Sequence, residues 1–219
     1  MVENAVAELI RSSRLPDHIR QLQDYLVEEQ VRRRAFHANL PEGRKVEFIN
    51  GEVVEAMPIK KNHGDALRML LKLLDEFIQT QKLGYIGYEN YLISLDRNDY
   101  EPDICFWSTE QSINFGERQN RFPAPEFIVE VLSPSTESTD RGDKFRDYAA
   151  NGVREYWIID PDVQTVEQYV LTGKAYTLQV KLRSGMIASA VVTGFEIPVR
   201  AIFDVQENRA MLRKIINDE

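Results

Sequence analysis

Tyr100-Glu101-Pro102-Asp103-Ile104-Cys105-Phe106-Trp107 and, further on, Phe127-Ile128-Val129-Glu130-Val131-Leu132-Ser133-Pro134-Ser135 decide how this chain reads. Both are apolar runs of strand length, and each carries a lone carboxylate among apolar neighbours. Burying a carboxylate costs several kcal/mol unless something compensates it. Pro102 fits a strand entry, where only one ladder donor is lost. Glu130 shares a strand face with Ile128 and Leu132, so it emerges from an apolar surface. If the two strands lie side by side, one compensating charge serves both acids. Mg²⁺ or Mn²⁺ takes hard oxygen ligands of this kind and fills its remaining positions with water or substrate phosphate. The competing reading is that each carboxylate pairs with an arginine or caps a loop.

The chain has 219 residues, 43% hydrophobic and 28% charged, which suits one globular domain with a core of its own. No apolar run approaches the roughly 18 residues of a spanning helix. The N-terminus, with Glu3 and Glu8, lacks the apolar centre of a signal peptide. The expectation is a cytoplasmic protein without membrane attachment. A single cysteine, Cys105, excludes an intrachain disulfide and a cysteine-based zinc site. The net charge of −8 argues against a constitutive non-specific nucleic-acid binder, yet an acidic metal site can coexist with a basic groove. The local basic clusters, Arg32-Arg33-Arg34, Lys60-Lys61 and Arg141 with Lys144 and Arg146, read as solvated surface.

Working outward, residues 17–35 predict a helix with Ile19, Leu22, Leu26 and Val27 on one face, as a packing arm or a dimer contact. Val46 to Val54 predicts a hairpin turned at Asn50-Gly51. His63 to about Lys82 predicts a long helix buried through Leu67, Leu70, Leu71, Leu74, Phe77 and Ile78, with Gly84 ending it. Tyr85–Leu95 reads as a strand or strand pair and Asp96–Asp99 as a polar turn. A short helix over 140–151, with Phe145, Tyr148 and Ala149 facing inward and Gly152 as its cap, precedes the buried strand Glu155–Asp160. That strand–helix–strand order implies a parallel crossover and a mixed sheet. A hairpin turned at Thr172-Gly173-Lys174 and a last helix over 206–216 complete the chain.

Other groups have less pattern behind them. Lys144 opens the helix after the Glu130 strand, where it can stabilise phosphate charge or orient an attacking water, or be neutralised by Asp140, Asp143 and Asp147. Glu52, on the second arm of the hairpin, can add a third carboxylate, and Glu47 on the first arm is the weaker candidate. Both also read as ordinary strand-face charges. His63 points along the apolar stripe of its helix, while His18 and His37 show no partners, and no zinc spacing occurs. Ser133 and Ser135 sit in a proline turn without a histidine to activate them.

Taken in order, Phe48-Ile49-Asn50-Gly51-Glu52-Val53-Val54, His63 opening a helix, Pro102-Asp103, Phe127 to Ser135, Lys144 with Tyr148, and Gly152-Val153-Arg154-Glu155-Tyr156-Trp157-Ile158-Ile159-Asp160-Pro161 resemble the Uma2 family, also called DUF820. Gly194-Phe195-Glu196-Ile197-Pro198 and Ile202-Phe203 extend the resemblance, which covers about residues 40–204. It implies the restriction-endonuclease-like fold of the PD-(D/E)xK nucleases. That fold is α/β (α+β), a mixed central β-sheet flanked by helices. Here it spans residues 40–219 behind an N-terminal helical extension at 1–39. By the same resemblance Asp103 and Glu130 are the metal ligands. The usual lysine position is occupied by Leu132, so Lys144 from the next helix takes its role. Glu52 matches an additional acidic residue and His63 a site-lining group.

The implied function is a Mg²⁺-dependent (or Mn²⁺-dependent) endonuclease hydrolysing DNA phosphodiester bonds, and cutting both strands leaves room for a homodimer. The alternative is a catalytically inactive restriction-endonuclease-like binding or scaffold module, favoured by Leu132 and by the net negative charge. A carboxylate-pair hydrolase on a non-nucleic substrate is a third reading. It needs aromatic residues around two unmetallated acids, whereas Trp107 and Trp157 read as core.

Overall fold

In the computed structural model, residues 2–41 and 43–217 are described, with side chains from residue 6 onward. Two helices lead, α1 (Val2–Arg11) and α2 (Leu15–Ala38). The hairpin of β1 (Val46–Ile49) and β2 (Glu52–Glu55) follows, then α3 (Lys61–Gln81), β3 (Gly84–Tyr88), β4 (Ile93–Ser94), β5 (Asp99–Tyr100) and β6 (Ile104–Ser108). Next come α4 (Thr109–Ser112), β7 (Phe127–Val131), α5 (Glu137–Asp140), α6 (Asp143–Ala150) and β8 (Glu155–Asp160). The chain continues through β9 (Thr165–Thr172), β10 (Ala175–Leu182), β11 (Met186–Ala188) and β12 (Glu196–Pro198), then a 3₁₀ turn and α7 (Val205–Asn217).

The central sheet has six strands in the order β10-β9-β8-β7-β6-β3. Only the β7–β8 pair is parallel, because α5 and α6 carry the chain back across the sheet between them. A smaller antiparallel sheet, β2-β1-β5-β4, stands beside it. The chain passes from the small sheet to the large one at Glu101-Pro102-Asp103, and all three residues are buried.

Alternation on β7 divides the core. Phe127, Val129 and Val131 pack with Leu70, Leu74 and Trp157 on the α3 face. Ile128 and Leu132 pack with Trp107, Tyr148 and Tyr156 on the opposite face. Trp107 and Trp157 are fully buried, as core strand residues should be. An aromatic side chain of that size removes about 200 Å² from water, about 5 kcal/mol of transfer free energy before entropy.

The hairpin turns at Asn50 (φ 51°) and Gly51 (φ 90°), both in the left-handed region that a type I′ turn needs. The end of α3 differs from expectation. Lys82, not Gly84, takes the left-handed capping position and donates its N–H to Gln79 and Ile78. Gly84 instead opens β3 where any Cβ would lie 2.0 Å from the Trp107 carbonyl oxygen.

Asp99 belongs to β5 and not to a solvated turn. It is fully buried and receives Arg33 Nε at 2.6 Å and Ser94 Oγ at 2.6 Å, while His37 Nε2 lies 3.0 Å away without hydrogen-bond geometry. Arg33 also donates to the Leu95, Asp96 and Asn98 carbonyls. Two of the basic clusters are therefore structural in part: Arg33 fastens α2 to the small sheet, and Arg141 forks onto Glu167 at 2.8 and 3.0 Å. Among the described residues nothing covers the apolar face of α2, and Ile19, Leu22, Leu26 and Val27 stay 45–60% exposed.

Candidate active site

Asp103 directly precedes β6, and Glu130 lies near the end of β7. Ile104 pairs with Val129 in the antiparallel ladder, so one further step of register sets Asp103 opposite Glu130. Side chains opposite one another across such a pair have Cβ atoms about 5 Å apart. Asp103 Oδ2 accepts the Val131 N–H at 2.8 Å, and Asp103 Oδ1 accepts Lys45 Nζ at 2.8 Å. Glu130 Oε1 accepts Lys144 Nζ at 3.0 Å and the Tyr148 hydroxyl at 2.8 Å.

The position of Lys144 follows from the crossover. α6 runs back over the sheet toward the start of β8, so its first turn lies above the end of β7. Asp140, Lys144 and Tyr148, spaced four apart, share the face that looks down on Glu130. Lys144 is 3% exposed and also contacts Glu47 Oε1 at 3.0 Å and Asp140 Oδ1 at 3.3 Å. Glu47 comes from β1, one of the two inner strands of the small sheet, and accepts the Glu101 N–H at 3.0 Å. Glu101 in turn accepts the Val46 N–H at 2.9 Å. His63, in the first turn of α3, is buried with Nε2 3.5 Å from Asp103 Oδ2, too long for a hydrogen bond. Neither ring nitrogen has a hydrogen-bond partner among the described residues.

Five buried carboxylates, Glu47, Glu101, Asp103, Glu130 and Asp140, thus surround two lysines, Lys45 and Lys144. Their titration follows. Burial alone would raise the Asp103 carboxyl, but Lys45 and His63 more than reverse this and hold it well below the usual carboxylate range. Burial pushes Glu130 up to about 8 against the pull of Lys144, and Asp140 and Asp103 add to the rise. Burial likewise takes Glu101 to about 7 and raises Asp140. Both lysines, which burial would lower, are held above their ordinary value by the carboxylates around them. The group opens into a cavity of about 650 Å³, walled by residues of the hairpin, the start of α3 and the Ser133–Thr139 segment.

The chain matches the model of the Uma2 family, described as "Putative restriction endonuclease", over residues 27–200. It belongs to the Uma2 family. No curated protein sequence matches it. A solved structure with the same fold is a "putative nuclease belonging to DUF820" from Anabaena variabilis ATCC 29413. It is 18% identical, covers 76% of this chain and 90% of its own, and superposes with a TM-score of 0.63. The restriction-endonuclease-like architecture expected of a Uma2 chain is therefore the one observed.

In this Uma2 chain Asp103, Glu130, Lys144 and His63 meet at one cavity, whereas Glu52 does not join them. β2 is an edge strand exposed along its whole length, and Glu52 sits at its turn end opposite Ile49. Glu47, on an inner strand, supplies the carboxylate instead. Lys45 was missed altogether. Its signal was the alternation Lys45-Val46-Glu47-Phe48-Ile49, which puts the two charged groups on one face. Glu52→Ala should change stability by less than about 0.5 kcal/mol, as for an ordinary surface site. A thermal melt checks this.

The donor set fits a divalent cation in one respect and constrains it in another. Carboxylates outnumber cationic side chains, and burial raises the Glu130 carboxyl even with Lys144 beside it. Yet among the described residues no group of three His, Cys, Asp or Glu side chains stands ready to hold a metal. An ion here would rely on Asp103 and Glu130, with water and phosphate oxygens completing its shell.

Proposed function

We propose that this chain is a metal-dependent endonuclease that hydrolyses DNA phosphodiester bonds, with Mg²⁺ or Mn²⁺ held by Asp103 and Glu130. The observation carrying this reading is that Asp103, just before β6, and Glu130, on β7, line one cavity whose carboxylates outnumber its lysines. When bound, the ion would polarise the scissile phosphate and acidify a water. The chain's own groups prepare the rest. The Val131 N–H and Lys45 fix the orientation of Asp103, and Tyr148 fixes that of Glu130. Lys144 places a charged donor beside Glu130, where it can orient the attacking water and offset charge on the phosphate. Lys45 offers a second such donor beside Asp103. Nicking of supercoiled plasmid in Mg²⁺ or Mn²⁺ that stops in EDTA supports this function.

A second reading, a catalytically inactive restriction-endonuclease-like binding or scaffold module, is favoured by one observation. Both lysines already neutralise the two acids that would hold the ion. DNA binding without cleavage in either ion would establish it over the first.

We read residues 1–39 as an arm that pairs with a second copy through Ile19, Leu22, Leu26 and Val27, all exposed on α2. Light scattering should then give twice the chain mass, falling to one in Leu22→Glu; a monomer for both would refute the pairing. No described helix is long and apolar enough to cross a membrane. Action on DNA, with Cys105 kept as a buried thiol, suits a reducing cytoplasm. A secreted pool of the protein in fractionated cells would contradict that location.

A further inference from the structure

A second cavity, of about 370 Å³, adjoins the cleft. Tyr85, Tyr91, Phe115 and Phe122 wall it, with Asn90, Asn120 and Glu117 also among the lining residues. Asn90 also lines the larger cavity, and its neighbour Glu89 donates its N–H to the Asp103 carbonyl at 3.1 Å. One short loop thus separates the two spaces.

The rings form a fixed platform. The Tyr85 and Tyr91 hydroxyls lie 2.6 Å apart, Tyr91 packs 5.0 Å from Phe122, and Tyr85 stands edge-on to Phe115 at 5.9 Å. Gly87 makes this possible, because a Cβ there would meet the Tyr91 ring at 2.7 Å. Tyr85 and Tyr88 remain 40% and 48% exposed on β3, the edge strand of the central sheet. Flat aromatic faces suit an unpaired base, whose π-face stacks whatever its identity. Amides that both donate and accept match its hydrogen-bonding edge.

We infer that this cavity is a subsite for an unstacked nucleobase next to the scissile phosphate, so that single-stranded, flapped or mismatched DNA is preferred to fully paired duplex. The inference rests on the phosphodiesterase reading above. Binding of the full chain to a fluorescent single strand and to its paired duplex, with Ca²⁺ in place of Mg²⁺, tests it. The wild type should favour the single strand about tenfold, and Tyr85→Leu, which keeps apolar bulk but removes the stacking face, should lose about that factor on the single strand alone. Photocrosslinking of the wild type to a 5-iodouracil strand should mark Tyr85 or Tyr91, a result independent of how the variant folds. Equal affinity for both DNA forms, or crosslinks only elsewhere, would overturn the subsite. Cleavage in Mn²⁺ is scored in parallel. Preference and crosslink without cleavage would uphold the base subsite and refute the nuclease reading. Cleavage without preference or crosslink would do the reverse.

Discussion

Asp103→Asn is expected to lower Mn²⁺-dependent DNA cleavage by about 10³-fold, the scale of losing one group that stabilises charge in the transition state. The substitution is nearly isosteric. Asparagine keeps an oxygen to accept either the Lys45 ammonium or the Val131 N–H, so the β6–β7 corner retains part of its bonding. What disappears is the negative charge, and with it one of the two ligands proposed for the ion. The fold should survive with a loss of about 1–3 kcal/mol, because Lys45 remains half-buried without its counter-ion. Cleavage rates beside a circular-dichroism melt separate the two effects. Activity within tenfold of wild type would remove Asp103 from the chemistry.

Lys144→Gln is expected to cost about 3–5 kcal/mol of stability, the range for stripping one partner from a buried ion pair. Lys144 is enclosed by Glu130, Glu47 and Asp140, and the residue that replaces it leaves three carboxylates facing one another without a cation. For a chain of this length that corresponds to a fall of about 6–20 °C in Tm. Mn²⁺ should restore more of the loss in the variant than it adds to the wild type, since the ion returns positive charge to the same acids. Thermal melts with and without Mn²⁺ measure both quantities. A melting temperature within 2 °C of wild type (about 0.5–1 kcal/mol) would mean that the carboxylates do not depend on Lys144.

Much of this arrangement was legible before the structure. Apolar runs of strand length gave β6, β7 and β8, and the strand–helix–strand order gave the parallel pair. Asn50-Gly51 gave the hairpin because only one kind of turn uses two left-handed residues there. Lys144 is reached through the family resemblance, since spacing alone leaves it free to be neutralised by the aspartates of its own helix. What stayed hidden depends on pairings distant in sequence. Arg33 and Asp99 lie 66 positions apart, and nothing local tells a buried aspartate in a two-residue strand from a turn aspartate. Glu47 and Glu52 look alike in sequence. Only the pairing of β1 with β5 makes the first an inner residue and leaves the second on an edge. The exposure of the α2 apolar face was equally unreadable, since an amphipathic helix looks the same whether its partner is its own core or another chain.

The nuclease reading stands or falls on whether Asp103 and Glu130 share one divalent ion. A crystal soaked in Mn²⁺ and measured for anomalous scattering tests it most directly. A single peak is expected between the two carboxylates, with oxygen ligands from both at about 2.1–2.2 Å and Lys144 still in contact with Glu130. Carboxyl groups held more than about 6 Å apart with no peak between them would contradict it, because ligand distances near 2 Å cannot bridge that gap.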